Sequence, residues 1–271
     1  MLPHSLVLVG AGKMGGAMLM GWLSEGLSPR AVTVLDPHPS DDLTHLCKGE
    51  GIALNPPRET IREPEVVVLA VKPQMLDEVA PQLEAVAGPS TLVLSVLAGK
   101  TIANLAARLP RASAIVRSMP NTPAAVGRGI TAAIPNPAVS PEQRTLADTL
   151  LQAIGEVVWL DDEAHIDAVT AVSGSGPAYV FHLVECMAAA GVTAGLPADV
   201  AARLARATVE GSGELMFQTQ EVDPAQLRRN VTSPGGTTAA ALEVLMAGDG
   251  LEALMTRAIE AARRRAAELS G

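Results

Sequence analysis

Residues 5–18 read SLVLVGAGKMGGAM, and this stretch decides the fold. A short apolar run rich in β-formers, Leu6 to Val9, passes straight into Gly10-Ala11-Gly12-Lys13-Met14-Gly15, and a helical pattern continues to about Glu25. This is GxGxxG with a strand before it and a helix after it, the context in which the motif cradles a dinucleotide. Gly10 allows the tight turn, Gly12 lets a pyrophosphate approach the backbone, and Gly15 lets the helix lie close on the strand. Lys13 and Met14, between them, complete the candidate cofactor contacts of the motif.

The next element strengthens the reading. Residues 31–35 read as a second strand ending at Asp36, about 20 residues beyond the motif, where an acid that reads the ribose is expected. A carboxylate there accepts a free 2′-hydroxyl and repels a 2′-phosphate, which favours NADH. The loop DPHPS (36–40) also offers His38 and Ser40 to a phosphate if the carboxylate turns away, so NADPH stays open.

Strand-like runs at 66–71, 91–96 and 114–117 alternate with helical patterns at 75–86 and 102–108. Such alternation predicts a Rossmann-type α/β domain, a parallel sheet with right-handed crossovers. Runs at 130–134 and 157–160, with a helix over 141–154 between them, add two strands and close a dinucleotide-binding domain over residues 1–160. Ligands of such sheets lie at the carboxyl ends of the strands. The loops there are AVKPQ (70–74), SVLAGK (95–100) and SMPNTPA (118–124), which make Val71, Lys72, Pro73, Ala98, Gly99 and Asn121 candidate cofactor contacts. Lys72 reads equally as a solvated loop charge, and Asn121, between two prolines, equally as a residue holding its own loop's backbone.

From about Asp161 the β-runs stop. Apolar residues at three- and four-residue spacing over 164–172, 177–190, 197–217 and 251–269 predict an all-α domain over residues 161–271. Thin, alanine-rich helical faces and one very long helix call for a partner to bury them, so a homodimer through these helices is expected. The small residues of VSGSGPAYVF (172–181) suit close helix crossings or the floor of a substrate pocket. Arg263, Arg264 and Arg265 suit the negative end of the last helix.

Composition narrows the partners. At 271 residues, 48% hydrophobic and 18% charged, the chain can bury a sizeable core. A net charge of -9 and only five aromatic residues argue against nucleic acid and anionic membranes. No apolar run approaches the ~18 residues of a membrane span. Cys47 and Cys186 are far apart in the sequence, so free thiols and no metal site are expected. With no signal-like N-terminus, the expected location is the cytoplasm.

The chemistry points to a second focus, RNVTSPGGTTAAALEVL at 229–245. A Ser-Pro-Gly-Gly turn followed by Thr237 and Thr238 gathers N–H groups and hydroxyls at a helix start, where an anion binds. Gly235 and Gly236 remove the β-carbons that would keep a ligand away. The chain has no lysine after Lys100, and His165 and His182 sit in helical patterns with no carboxylate-and-serine arrangement around them. A site poor in acids and bases suits hydride transfer to a protonated C=N bond, which is already electrophilic, better than reduction of a ketone, which needs a proton donor.

GAGKMGGAM, AVKPQ, MPNTPA, VSGSGPAY and the stretch 231–245 together resemble pyrroline-5-carboxylate reductase over nearly the whole chain and in the right order. The resemblance implies reduction of 1-pyrroline-5-carboxylate to L-proline by NADPH or NADH. It also implies a dimer whose interlocked helical domains build the active site, assembled in many members into a decamer. Residue by residue, it implies that Ser233, Gly235, Gly236, Thr237 and Thr238 hold the substrate carboxylate and that Val231 lines the pocket. Thr238 would face the ring nitrogen as hydrogen-bond partner or proton relay, with Glu221 near that nitrogen in some members. Asp36 departs from the small hydroxyl or basic residues of many NADPH-preferring members. The competing readings are a β-hydroxyacid dehydrogenase, which relies on a helical-domain lysine that this chain lacks, and a non-catalytic NAD(P)-binding sensor on the same fold.

Overall fold

A computed structural model describes residues 2–270. The described residues form two compact units, 2–174 with 263–270, and Ser175–Ala262.

The first unit is built on one eight-stranded sheet. Its strands are β1 (Leu6–Val9), β2 (Val32–Leu35), β3 (Ala53–Leu54), β4 (Val66–Leu69), β5 (Leu92–Ser95), β6 (Ala114–Met119), β7 (Gly129–Pro135) and β8 (Gly155–Trp159), in the order β3-β2-β1-β4-β5-β6-β7-β8. The order reverses between β1 and β4, which opens the crevice where doubly wound sheets take ligands. β1, β4 and β5 are buried on both faces, so they read as continuous apolar runs rather than alternating ones.

Helices cover each face. Leu6, Leu8, Val66 and Val68 pack with Met18 and Trp22 of α1 (Lys13–Ser24), Cys47 of α2 (Asp41–Glu50) and Leu150 of α5 (Pro141–Gln152). Val7, Val9, Val67 and Leu69 pack with Leu76 and Leu83 of α3 (Leu76–Glu84) and Leu105 of α4 (Ile102–Arg108). Capping is explicit in the sequence: Ser40, Thr101 and Ser140 accept N–H bonds at the starts of α2, α4 and α5.

One pairing departs from the expected parallel sheet. β7 runs antiparallel to β6, while β8 runs parallel to β7. Between Met119 and Gly129 the chain has room only for the short 3₁₀ turn Thr122–Val126, too little for the crossover that a parallel neighbour requires. α5 then supplies that crossover between β7 and β8.

The compact units part at 174/175 rather than at the expected 160/161, because the segment after β8 stays with the sheet. Ile166 of α6 (Ile166–Val169) joins a small cluster with Ala132 and Ile134 of β7, and Glu163 reaches the buried Arg117 of β6. A π-helical turn, Thr170–Gly174, ends the unit.

The second unit is all helical: α7 (Gly176–Thr193), α8 (Ala198–Gln218), α9 (Pro224–Asn230), α10 (Thr237–Leu245) and the larger part of α11 (Leu251–Ser270). Taken as a single chain it has almost no core. Ala201 and Ala205 of α8 are buried, whereas Phe181 is 63% and Val244 72% exposed. The three arginines 263–265 do not close the last helix as expected. α11 continues to Ser270, and Arg265 pairs with Glu268 at 2.6 Å instead.

No helix among the described residues is long and apolar enough to cross a membrane.

Candidate active site

The glycine turn has the shape a dinucleotide needs. Gly10 lies at φ +86, its N–H bonds the Leu35 carbonyl at 2.8 Å, and a β-carbon there would fall 2.8 Å from the backbone nitrogen of Val71. The turn and the AVKPQ loop are therefore in direct contact at the carboxyl edge of the sheet. A β-carbon on Gly15 would run into the Gly10 carbonyl oxygen, so the close approach of α1 demands glycine. Gly12 is the N-cap of α1, makes no side-chain cap bond, and has open space where its β-carbon would be. First-turn N–H groups of a helix lack intrahelical partners, so an uncapped start beside an open glycine fits the pyrophosphate of NAD(P)H. Lys13 is exposed and Met14 half-buried at the first helical positions.

Asp36 sits beside this turn. Its Oδ2 accepts the Ala11 N–H at 2.8 Å and its Oδ1 accepts the His38 N–H at 2.9 Å. Ser40 is committed elsewhere, its hydroxyl accepting Leu43 N–H at the start of α2. Asp36 lines a cleft of about 330 Å³ together with Leu35, Asn55, Pro56, Arg58, Glu78 and Gln82. Asn55, Pro56 and Arg58 escaped the sequence reading because β3 is only two residues long and shows no strand period. The readable signal was the Asn-Pro-Pro turn directly after it, at the same edge as the other strand ends.

The remaining cofactor candidates are distributed unevenly. Lys72 is exposed and precedes the 3₁₀ turn Pro73–Met75. Ala98 is exposed, while Gly99, at φ +70, lies where a β-carbon would be 2.9 Å from the Leu269 carbonyl oxygen. Asn121 bonds backbone through both ends of its amide. Its Oδ1 accepts the Ile130 N–H at 3.0 Å and its Nδ2 donates to the Ser173 carbonyl at 3.2 Å. These two bonds tie the 3₁₀ turn to β7 and to the segment leaving the sheet.

In the helical unit, α9 ends at Asn230 and the chain turns through Ser233–Gly236 into α10. Gly235 is at φ +69, which the turn requires, and Gly236 N–H bonds the Ser233 carbonyl at 3.0 Å. Gly236 is the N-cap of α10 and makes no side-chain cap bond. A β-carbon on it would sit 2.5 Å from Ser233 Oγ, so glycine keeps that hydroxyl at the helix start. Ser233, Thr237 and Val231 are exposed and Thr238 is half-buried. Ser233 to Thr238 thus form the open helix start the sequence anticipates. Glu221 is exposed in the connection before α9. On α7, His182 bonds Glu185 at 2.9 Å on an exposed face.

Comparison with known proteins agrees with both halves. Residues 163–269 match the family model for pyrroline-5-carboxylate reductase dimerisation, and residues 5–99 match that for coenzyme F420-dependent NADP oxidoreductase. A pyrroline-5-carboxylate reductase of Pseudomonas aeruginosa is 40% identical over 265 residues, 98% of this chain and 96% of the relative. Among solved structures, a pyrroline-5-carboxylate reductase from Coxiella burnetii superposes with TM-score 0.91 at 35% identity, covering 99% of both chains. The Plasmodium falciparum pyrroline carboxylate reductase with NADP bound gives 0.78 at 27% identity over 98% of both. An uncapped glycine turn on a doubly wound sheet, a Ser-Pro-Gly-Gly helix start and full-length identity of this order place the chain in the pyrroline-5-carboxylate reductase family.

Proposed function

We propose that the protein reduces 1-pyrroline-5-carboxylate to L-proline, with NAD(P)H bound at the glycine turn supplying the hydride. The observation that carries this reading, beyond family membership, is the start of α10. It is an uncapped helix N-terminus of the right charge for a carboxylate, lined by Ser233, Thr237 and Thr238 hydroxyls and kept open by Gly235 and Gly236. These residues hold the substrate carboxylate and Val231 lines the ring's apolar side. Thr238 takes the ring nitrogen as hydrogen-bond partner or proton relay, and Glu221 contributes charge near that nitrogen. By role, as distinct from packing, residues 1–160 serve as the cofactor-binding domain and 161–271 as the substrate and dimerisation domain.

At the sheet, Gly10, Gly12, Lys13, Met14 and Gly15 hold the pyrophosphate. Val71, Lys72, Pro73, Ala98 and Gly99 border the ribose and nicotinamide, and Asn121 supports them through its loop. Asp36 reads the adenosine ribose and favours NADH over NADPH. The working unit is a homodimer through the helices of residues 175–262, and sedimentation distinguishes it from the decamer that the family resemblance implies. The free thiols Cys47 and Cys186 suit a reducing cytoplasm.

Steady-state oxidation of NADH and NADPH by the purified protein with 1-pyrroline-5-carboxylate, beside a panel of 2-keto and 2-hydroxy acids, tests the reading. Turnover with the cyclic imine alone supports it. Cofactor binding without turnover on any substrate would replace it with the sensor reading.

A further inference from the structure

Asn55 stands apart in the first unit. At φ 47 it is the one residue other than glycine with positive φ among the described residues, a conformation asparagine tolerates better than most. Its N–H continues the β2–β3 pairing by bonding the Val34 carbonyl at 2.8 Å. Its side chain then takes over where the strand stops. Asn55 Oδ1 accepts the Asp36 N–H at 2.9 Å, and Asn55 Nδ2 donates to the Asp36 carbonyl at 2.7 Å. One primary amide satisfies both main-chain groups of Asp36, as a neighbouring strand would have done.

We propose that Asn55 is a positioning residue for cofactor choice: by clamping the main chain of Asp36 it holds the carboxylate against the glycine turn and so maintains the preference for NADH. The proposal rests on the reading of Asp36 as the ribose-binding acid. With the Asp36 backbone fixed, each carboxylate oxygen meets one N–H, from Ala11 and His38, and keeps lone pairs for ribose hydroxyls. Admitting a 2′-phosphate means swinging the carboxylate away and breaking both bonds. Arg58 lines the same cleft and is exposed, so a cation waits for that phosphate. Cofactor choice is therefore a contest between Asp36 and Arg58, and Asn55 biases it by fixing the main chain from which the Asp36 carboxylate reaches the Ala11 and His38 N–H groups.

The test is direct titration of NADH and NADPH binding by nucleotide fluorescence, which needs no turnover, on wild type, Asp36→Ser, Asn55→Gly and the double variant. Glycine keeps the left-handed backbone while removing the side chain that carries the amide. Asp36→Ser should move the ratio of the two Kd values toward NADPH on the order of tenfold, the size of one charge-assisted hydrogen bond. Asn55→Gly should move it the same way by roughly three- to tenfold and add little in the Asp36→Ser background, since both act through one carboxylate. Asn55→Asp, which keeps the acceptor and loses the donor, should fall short of the glycine effect. Equal weakening of both nucleotides by Asn55→Gly, or an undiminished shift in the double variant, overturns the role of Asn55. An unchanged ratio in Asp36→Ser instead removes the ribose reading itself, and the role of Asn55 with it.

Discussion

Arg117 Nη1, in the middle of the sheet, donates to Glu163 Oε1 at 2.6 Å, and the same oxygen accepts the Ile102 N–H at 2.8 Å. The Arg117 side chain is only 4% exposed. One carboxylate thus neutralises a buried guanidinium and satisfies a free N–H at the start of α4.

Removing that carboxylate leaves an uncompensated buried charge. Glu163→Ala should cost about 2–3 kcal/mol, below the figure for a fully buried pair because the glutamate is partly open to water. Glu163→Gln, which keeps an acceptor, should cost less. Urea midpoints of the two variants read this directly, and an alanine variant as stable as wild type would mean that the guanidinium is solvated without its partner.

At the start of α10 the two steric roles separate kinetically. Gly236→Ala forces Ser233 Oγ out of its place, so KM for pyrroline carboxylate should rise tenfold or more, to order of magnitude, while nucleotide Kd stays put. Thr238→Ala should instead lower kcat, by roughly 10- to 100-fold, the range of a lost hydrogen bond to a charged group. Unchanged kinetics in Thr238→Ala would remove it from the mechanism.

The helical unit has too little core to stand alone. Each large apolar side chain that dimerisation buries contributes about 1.5–3 kcal/mol, and Phe181, Leu204, Leu215 and Val244 are all largely exposed in the single chain. The urea midpoint should therefore rise with protein concentration. Phe181→Asp should shift sedimentation toward monomer and reduce turnover with it. A midpoint independent of concentration would argue against coupled folding and association.

Acid should loosen the first unit. The Ser90 hydroxyl and N–H hold the Glu63 carboxyl below its ordinary value, Arg108 does the same for Asp77, and the Ser140 hydroxyl for Glu142. Their folded pKa values lie below the unfolded ones. Their stabilisation is therefore present above the ordinary carboxylate range and is lost as pH falls through the lowered values. Urea midpoints should decline below about pH 5, and Glu63→Gln should flatten that decline. An identical acid limb in the variant would show that Glu63 contributes nothing to it.

What the sequence determined by itself is local. Residues 5–18 announce a strand, a turn only glycine can make and a helix, because periodicity and backbone freedom are properties of neighbouring residues. Asp36 at the end of the second strand and the open Ser233–Thr238 helix start were legible for the same reason. The tertiary structure decided what depends on residues distant in the chain. The reversal of β7 follows from the length of one connection, and the transfer of 163–174 to the first unit from Arg117 meeting Glu163. Asn121 gained backbone partners in Ile130 and Ser173, and Asp36 acquired its clamp because a two-residue strand, too short to show a period, brings Asn55 beside it. No pattern within one segment encodes such pairings; they exist only once the sheet has assembled and its buried polar groups must find partners.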